Sequence, residues 1–196
     1  PARAARPLAP RGPARASAAS PRPMPTDAHP CPGPGLAWMG AYTRILAALM
    51  ATQQDDIKRV LAYSTLSQLG YMVMAAGSAP DPEGGAAMFH LWTHAFFKAL
   101  LSLGAGSVIH ACHHEQDMRH MGGLRKKIPH TFNVLLIAAL AIAGFPFMSG
   151  WYSKEDILGA AMHHAPWMYW VAWVTAMMTA FYVFRSIFLT FFGEYK

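Results

Sequence analysis

The charged residues divide the chain into long uncharged runs. No Asp, Glu, Lys or Arg occurs in residues 60–80, 128–153 or 157–184, and residues 84–114 contain one, Lys98. A helix needs about 20 mostly apolar residues to cross a bilayer, and each run is about that long or longer. The pattern therefore predicts an all-α fold, a polytopic membrane bundle of about five transmembrane segments.

The predicted spans follow these runs, with one further span before the first of them. The sequence GFPFMSG at residues 144–150 predicts a break inside the fourth span, because Gly and Pro disfavour a continuous helix. The connections are short, which favours antiparallel neighbours in a bundle. The spans cover residues 36–52, 60–78, 85–112, 131–162 and 167–192.

The first 37 residues have a different composition. They are rich in Pro, Ala and Arg, with five Arg and one acid, so they supply +4 of the net charge of +6. A transit peptide shares the Arg-rich composition, but the prolines disfavour the amphipathic helix that such a peptide needs. We predict that residues 1–37 are a disordered or non-native extension and that residues 38–196 are part of a membrane domain.

Composition narrows the class of function. The chain is 54% hydrophobic and 13% charged, against about 25% charged in an average soluble domain, which excludes an ordinary soluble enzyme. Outside the extension the net charge is only +2, so no nucleic-acid partner is expected. The two cysteines do not suggest a disulfide framework. The basic connections before residue 60 and at residues 113–130 are expected on the cytoplasmic side.

Three titratable residues lie one helical turn apart in the third span. His90, His94 and Lys98 have i, i+4, i+8 spacing, which places them on one face of a helix. Ser102, Gly106 and His110 continue the same spacing. Ionisable groups inside a membrane usually face a bundle interior or a water path. A ladder of groups that can each hold a proton is what proton transfer through a low-dielectric region requires.

Two other interpretations of this ladder remain open. The histidines can be structural, forming hydrogen bonds to neighbouring helices. An i, i+4 histidine pair can also hold zinc or haem, but no HExxH pattern, carboxylate ligand or cysteine cluster accompanies His90 and His94. The loop HHEQDMRH is better explained as a solvated connection than as a metal site.

The fourth span has a lysine immediately after its predicted break. Interrupted helices mark ion and substrate sites in transporters, and the uncharged run before Lys154 favours burial. Glu155 and Asp156 beside it favour exposure instead, as the first turn of a surface helix. The residues alone leave these alternatives open. In the second span, Ser64, Ser67 and Gln68 form a polar stripe that suits interhelical hydrogen bonds.

Four long motifs in this order resemble a known family. DDIKRVLAYSTLSQLGYM, FHLWTHAFFKALLSLGAGSVIHACHHEQD, MGGLRKKIP and GFPFMSGWYSKEDIL are similar to the antiporter-like subunit L of NADH-quinone oxidoreductase, respiratory complex I. The resemblance covers about residues 38–196. The large subunit of multi-component cation/proton antiporters is similar enough to remain an alternative.

The resemblance implies a role for each matching residue. Such subunits form long helical bundles with two inverted repeats and move protons through buried Lys, His and Glu residues. By position, His90, His94 and Lys98 correspond to the central relay. Lys154 corresponds to the lysine of the second broken helix at the exit side. Glu155 corresponds to its acidic neighbour, and Lys58 lies in the DIKR motif.

The resemblance also implies partners and a location. We expect no redox centre or metal in this chain, and FMN, iron–sulfur clusters and quinone in partner subunits. The partners would be other membrane-arm subunits, the lipid bilayer and protons, in a bacterial inner membrane rather than a mitochondrial one. The family's earlier helices and its long lateral helix have no counterpart here, so a partial chain that does not pump alone is expected. A structural scaffold with inert polar groups remains a further alternative.

Overall fold

The regular secondary structure of the described part of the chain consists of helices. The computed structural model describes residues 33–78, 85–164 and 166–193. These ranges contain six helices and no β-sheet. The helices are α1 (Gly33–Gln53), α2 (Ile57–Ser78), α3 (Gly85–Ala111), α4 (Pro129–Ala143), α5 (Ser149–His164) and α6 (Pro166–Phe191). Each predicted span is therefore confirmed as a helix, and the fourth is broken as predicted.

Helix α1 begins before the predicted domain boundary. The sequence predicts an extension up to residue 37, but α1 starts at Gly33. Pro34 lies in its first turn, where the missing N–H costs no helix hydrogen bond. Ala37 is fully buried, so packing favours helix at residues that look like linker in the sequence. The rest of the predicted extension, residues 1–32, lies outside the described residues.

Helices α1 and α2 pack backbone against backbone. A Cβ atom at Gly70 would lie 2.8 Å from the Arg44 nitrogen and 2.9 Å from the Gly40 oxygen. A Cβ at Gly40 would overlap the Met74 nitrogen of α2. Small residues at such a contact let two helices approach closely. The hairpin therefore has no room for side chains at these positions, which brings Arg44 against α2.

The remaining helices close around two buried clusters. One is formed mainly by apolar side chains of α2, α3, α4 and α6, and the other by α1, α2, α5 and α6. Among the described helices, only α6 is both long and apolar enough to cross a membrane by composition alone, and α4 is apolar but shorter. The polar side chains that α2 and α3 bury inside the bundle lower their hydropathy.

A charged hub joins the connections at one end of the bundle. Arg185 of α6 donates from Nη1 to the Gln54 oxygen at 2.7 Å and from Nη2 to Asp55 Oδ1 at 2.6 Å. Arg119 donates to the other Asp55 oxygen, and the Met118 N–H donates to the Asp55 carbonyl at 2.9 Å. The two basic connections, which the sequence predicts on the same side of the membrane, are therefore in contact with each other. The loop at residues 79–84, which joins α2 to α3, lies outside the described residues.

The hub should make stability depend on pH. The pKa of the Asp55 carboxyl lies below its ordinary value, chiefly because Arg185 donates a hydrogen bond to it, with the charges of Arg119 and Arg185 adding. A carboxyl with a lowered pKa adds stability above its ordinary pKa, and that stability is lost as pH falls through the lowered value. Asp55→Asn should lower the melting temperature at pH 7 by about 2–4 °C, the effect of about 1 kcal/mol.

The same substitution should matter less in acid. Thermal unfolding of the purified protein at pH 7 and at about pH 3 measures the difference. Asp156→Asn is the matched control, because Asp156 is exposed and the charge change is the same. An equal loss of stability by Asp55→Asn at both pH values would show that the carboxylate charge is not what holds the hub together.

Candidate functional site

The first two residues of the α3 ladder face the interior of the bundle. His90 is fully buried, His94 is 6% exposed and Lys98 is half-buried. The polar stripe of α2 lies opposite, with Ser64, Ser67 and Gln68 all buried. The i, i+4 spacing thus places titratable groups along the interface that α3 shares with α2.

His90 connects three helices through its imidazole ring. Its Nδ1 lies 2.8 Å from the Ser153 hydroxyl of α5, and its Nε2 lies 3.0 Å from Gln68 Oε1 of α2. The Thr93 hydroxyl donates to Ser153 at 3.1 Å. One donor order satisfies all three contacts: Thr93 donates to Ser153, Ser153 to Nδ1, and Nε2–H to Gln68. Both ring nitrogens are engaged, as a group that takes a proton on one side and releases it on the other requires.

His94 has a different environment. Its ring centroid lies 6.2 Å from that of His90, and Phe97 packs edge-on at 5.4 Å. Its Nε2 atom is buried and has no hydrogen-bond partner within the described ranges. A buried polar nitrogen without a partner is costly. His94 therefore retains an unused hydrogen-bonding site between His90 and Lys98.

Lys98 points into a groove between α2 and α3. Its Nζ donates to the Leu61 carbonyl at 2.6 Å, and the Thr65 hydroxyl donates to the same oxygen at 3.0 Å. The groove has a volume of about 340 Å³, and Ser102 and Lys58 also line it. Lys58 itself is exposed at the start of α2. The groove thus connects the amine of Lys98 with the end of the bundle.

Lys154 is buried at the break between α4 and α5. Only 4% of it is exposed, and its Nζ donates to the Ile142 oxygen at 2.5 Å. The left-handed Gly144 ends α4, where the Gly144 and Phe145 N–H groups bond to the Ala141 and Leu140 oxygens. The Ile142 carbonyl is left for Lys154. A helix C-terminus carries partial negative charge, so the break itself provides a site for this cation.

Two contacts hold the first turn of α5, which carries Lys154, in place. A Cβ at Gly150 would overlap the Ala141 oxygen, so the start of α5 lies directly against the end of α4. The Tyr71 hydroxyl of α2 donates to the Lys154 carbonyl at 3.1 Å. The sequence leaves open whether Lys154 is buried or lies at the surface, and in the structure it is buried.

Glu155 does not join the buried groups. It is exposed on α5, as is Asp156. In a helix, adjacent residues lie about 100° apart around the axis, so burying Lys154 turns its neighbour outward. The structure therefore brings His90 next to α5, keeps Lys58 in the groove of Lys98, and leaves Glu155 apart from both.

Some polar contacts of the site carry weak signals in the sequence. Ser153 and Tyr71 form hydrogen bonds in the site, yet nothing in their spacing distinguishes them from other polar residues in apolar runs. Arg44 does have a signal, as a cation inside a predicted span, and it is 2% exposed. Its contacts follow from the glycine packing of α1 on α2, which spacing does not reveal.

The metal hypothesis finds no support at His90. A histidine ligand needs a free ring nitrogen, whereas both nitrogens of His90 contact Ser153 and Gln68. In the ranges that the structure covers, no three His, Cys, Asp or Glu side chains are grouped so that they could hold a metal ion. The geometry fits hydrogen-bonded proton carriers better than a metal centre.

Comparison with known proteins identifies the family of this chain. The family model described as "NADH:quinone oxidoreductase/Mrp antiporter, TM" matches residues 32–179. NADH-quinone oxidoreductase subunit L of Rhodobacter capsulatus is 53% identical over 171 residues, covering 81% of this chain and 24% of its own length. NAD(P)H-quinone oxidoreductase chain 5 of a Picosynechococcus strain is 53% identical over 169 residues, covering 82% and 25%. The chain thus spans about a quarter of these curated relatives.

Solved structures share the fold. An archaeal membrane-bound sulfane sulfur reductase, a respiratory membrane complex, superposes with a TM-score of 0.77 at 31% identity, covering 82% of this chain and 27% of that one. The Mrp complex of Dietzia superposes with a TM-score of 0.73 at 25% identity, covering 82% and 31%. These neighbours and relatives are parts of multi-subunit membrane assemblies.

The resemblance of the motifs to subunit L is therefore confirmed by relatives of that name whose sequences are about 50% identical to this chain. The family model covers all of α1 to α5 and half of α6. The six helices form a membrane bundle, and the chain belongs to the transmembrane family of NADH:quinone oxidoreductases and Mrp antiporters.

Proposed function

We propose that this chain carries part of a proton path in a proton-translocating NADH-quinone oxidoreductase. The observation that supports it most is the pair of contacts made by His90. A buried imidazole that contacts Ser153, the residue before Lys154, through one nitrogen and Gln68 through the other can take up a proton and, after its ring rotates, pass it to the Ser153 side.

The order of groups defines a route. Protons enter from the end of the bundle near Lys58 and follow the groove to Lys98. They then pass along α3 through His94 to His90, and through Ser153 toward Lys154 at the helix break. Steps of one helical turn measure about 6 Å, so side-chain rotation or intervening water completes each transfer. Glu155, exposed beyond Lys154, acts on the exit side.

The wider assembly supplies the driving force. Relatives with 53% identity are named as subunits of quinone oxidoreductases, so quinone reduction in partner subunits with FMN and iron–sulfur clusters would drive the protons. Other membrane-arm subunits would pack against the bundle. We propose a bacterial inner membrane as its location, which the bacterial origin of the two relatives described above supports.

A cation/proton antiporter subunit is the second candidate. The family description includes Mrp antiporters, and the Dietzia Mrp complex has the same fold. The identity is 25% with that structure against 53% with quinone oxidoreductase subunits. The buried lysines and histidines suit either function, because both move protons through the membrane.

Reconstitution separates the two candidates. The complete subunit in its assembled complex is placed in liposomes containing a pH-sensitive dye. We expect NADH and a soluble quinone to change the internal pH, and a sodium or potassium gradient alone to leave it unchanged. A pH change driven by the cation gradient without NADH would instead assign the chain to the antiporters. Liposomes with an uncoupler are the control.

A further inference from the structure

Arg44 is a buried cation that the proposed relay does not use. It lies on α1 and is 2% exposed. One guanidinium nitrogen, Nη2, donates to the Ala172 oxygen of α6 at 2.6 Å, whereas Nη1 has no hydrogen-bond partner among the described residues. None of the ion pairs formed within those residues involves Arg44. Because arginine does not lose its proton in proteins, this is a fixed positive charge.

Tyr71 separates Arg44 from the relay. The guanidinium carbon lies 3.7 Å from the Tyr71 ring centroid, a cation–π contact. His90 packs edge-on against the same ring at 5.3 Å, and the Tyr71 hydroxyl donates to the Lys154 carbonyl at 3.1 Å. His90 is thus within about 9 Å of the fixed charge, given the 3.7 Å and 5.3 Å separations. Tyr71 therefore contacts Arg44 and the His90 ring with its own ring, and the backbone of Lys154 with its hydroxyl.

The groups around Arg44 cannot neutralise its charge. Two tyrosines and two bases from four helices lie within electrostatic range of it, and the one carboxylate near this group among the described residues, beyond Tyr71, is exposed. The facing groups are Tyr71 of α2, His90 of α3, Lys154 of α5 and Tyr182 of α6, with Glu155 outside them. At an effective dielectric constant of about 20, unit charges about 9 Å apart change a proton equilibrium about 20-fold, or somewhat more than one pH unit.

We infer that Arg44 is a positioning residue of the proton path: its fixed charge, held against Tyr71, sets the pH at which protons leave His90 and Lys154. This inference rests on the proposed proton translocation. The charge raises the cost of a second cation in the same pocket, so a proton does not remain at His90. Without it, the nearby bases would hold protons more tightly and release them only at higher pH.

The test uses the complete subunit in its assembled complex, reconstituted in liposomes. Arg44→Met removes the charge and keeps the length, Arg44→Gln also keeps a donor for the Ala172 oxygen, and Arg44→Lys keeps the charge. We expect the pH profile of NADH-driven proton transport to move up by about one unit in the two neutral variants and to stay in place in Arg44→Lys. Lys126→Met, which removes an exposed charge elsewhere, should not move it.

The results also separate this inference from the proposed function. If Arg44→Met does not assemble, Arg44→Gln against Arg44→Lys gives the same comparison. A lower rate at an unchanged pH profile in the neutral variants would overturn the inference and leave Arg44 a packing residue. Lys98→Met measured in parallel reports on the relay itself: if that variant transports normally, the proposed function fails, whatever Arg44 does.

Discussion

Lys98→Met should abolish NADH-driven proton translocation and leave the fold intact. In the proposed path, Lys98 connects the groove with the histidines of α3, so without it the path has no carrier at that position. We expect transport to fall by about 100-fold or more, the scale of losing a general acid–base group. Stability should hardly change, because the Leu61 oxygen keeps the hydrogen bond from the Thr65 hydroxyl.

Lys98→Arg supplies the matched control. Arginine keeps the positive charge and the donors but does not release a proton, so this variant should be as inactive as Lys98→Met. Internal pH of liposomes containing the assembled complex is measured during NADH oxidation. Normal transport by Lys98→Met, with assembly verified by native electrophoresis, would contradict the relay.

Lys154→Met should lose both transport and stability. The Ile142 carbonyl accepts its hydrogen bond from Lys154 Nζ at the end of α4. Removing the amine leaves a buried oxygen without this donor, which costs about 1–3 kcal/mol in the free energy of unfolding. We expect a lower melting temperature together with loss of proton translocation.

Lys154→Arg should separate the two effects. Its guanidinium can still donate toward the helix C-terminus, so we expect stability close to that of the original protein. Because it does not release a proton, transport should remain lost. Melting curves and proton transport are measured on the same preparations. Active transport by Lys154→Arg would show that Lys154 has only the structural role.

The helices were predictable because charge is so unevenly distributed. A charged side chain is costly in a bilayer, so long uncharged runs mark the spans, and the Gly and Pro of residues 144–150 mark the break. The face that carries His90 and His94 follows from the helical period alone. These features depend on residues near one another in the chain, which is why spacing reveals them.

The remaining site depends on contacts between distant segments. For Lys154, the uncharged run before it and the acids after it favour opposite environments. The helix C-terminus that binds its amine appears only when Gly144 ends α4 and Gly150 lets α5 return against it. The contact of Ser153 with His90 spans 63 residues. Such pairings arise from tertiary packing and have no local pattern.

The close packing of α1 on α2 has a consequence for biogenesis. An arginine in the middle of a lone helix opposes entry into the bilayer by about 2.5–3.5 kcal/mol on translocon scales. The groups that accommodate Arg44 are the Tyr71 ring and the Ala172 carbonyl, which belong to α2 and α6 and are synthesised later. We therefore expect helix α1 to remain at the translocon until α2 has been synthesised, so that the two helices enter the lipid together as a hairpin.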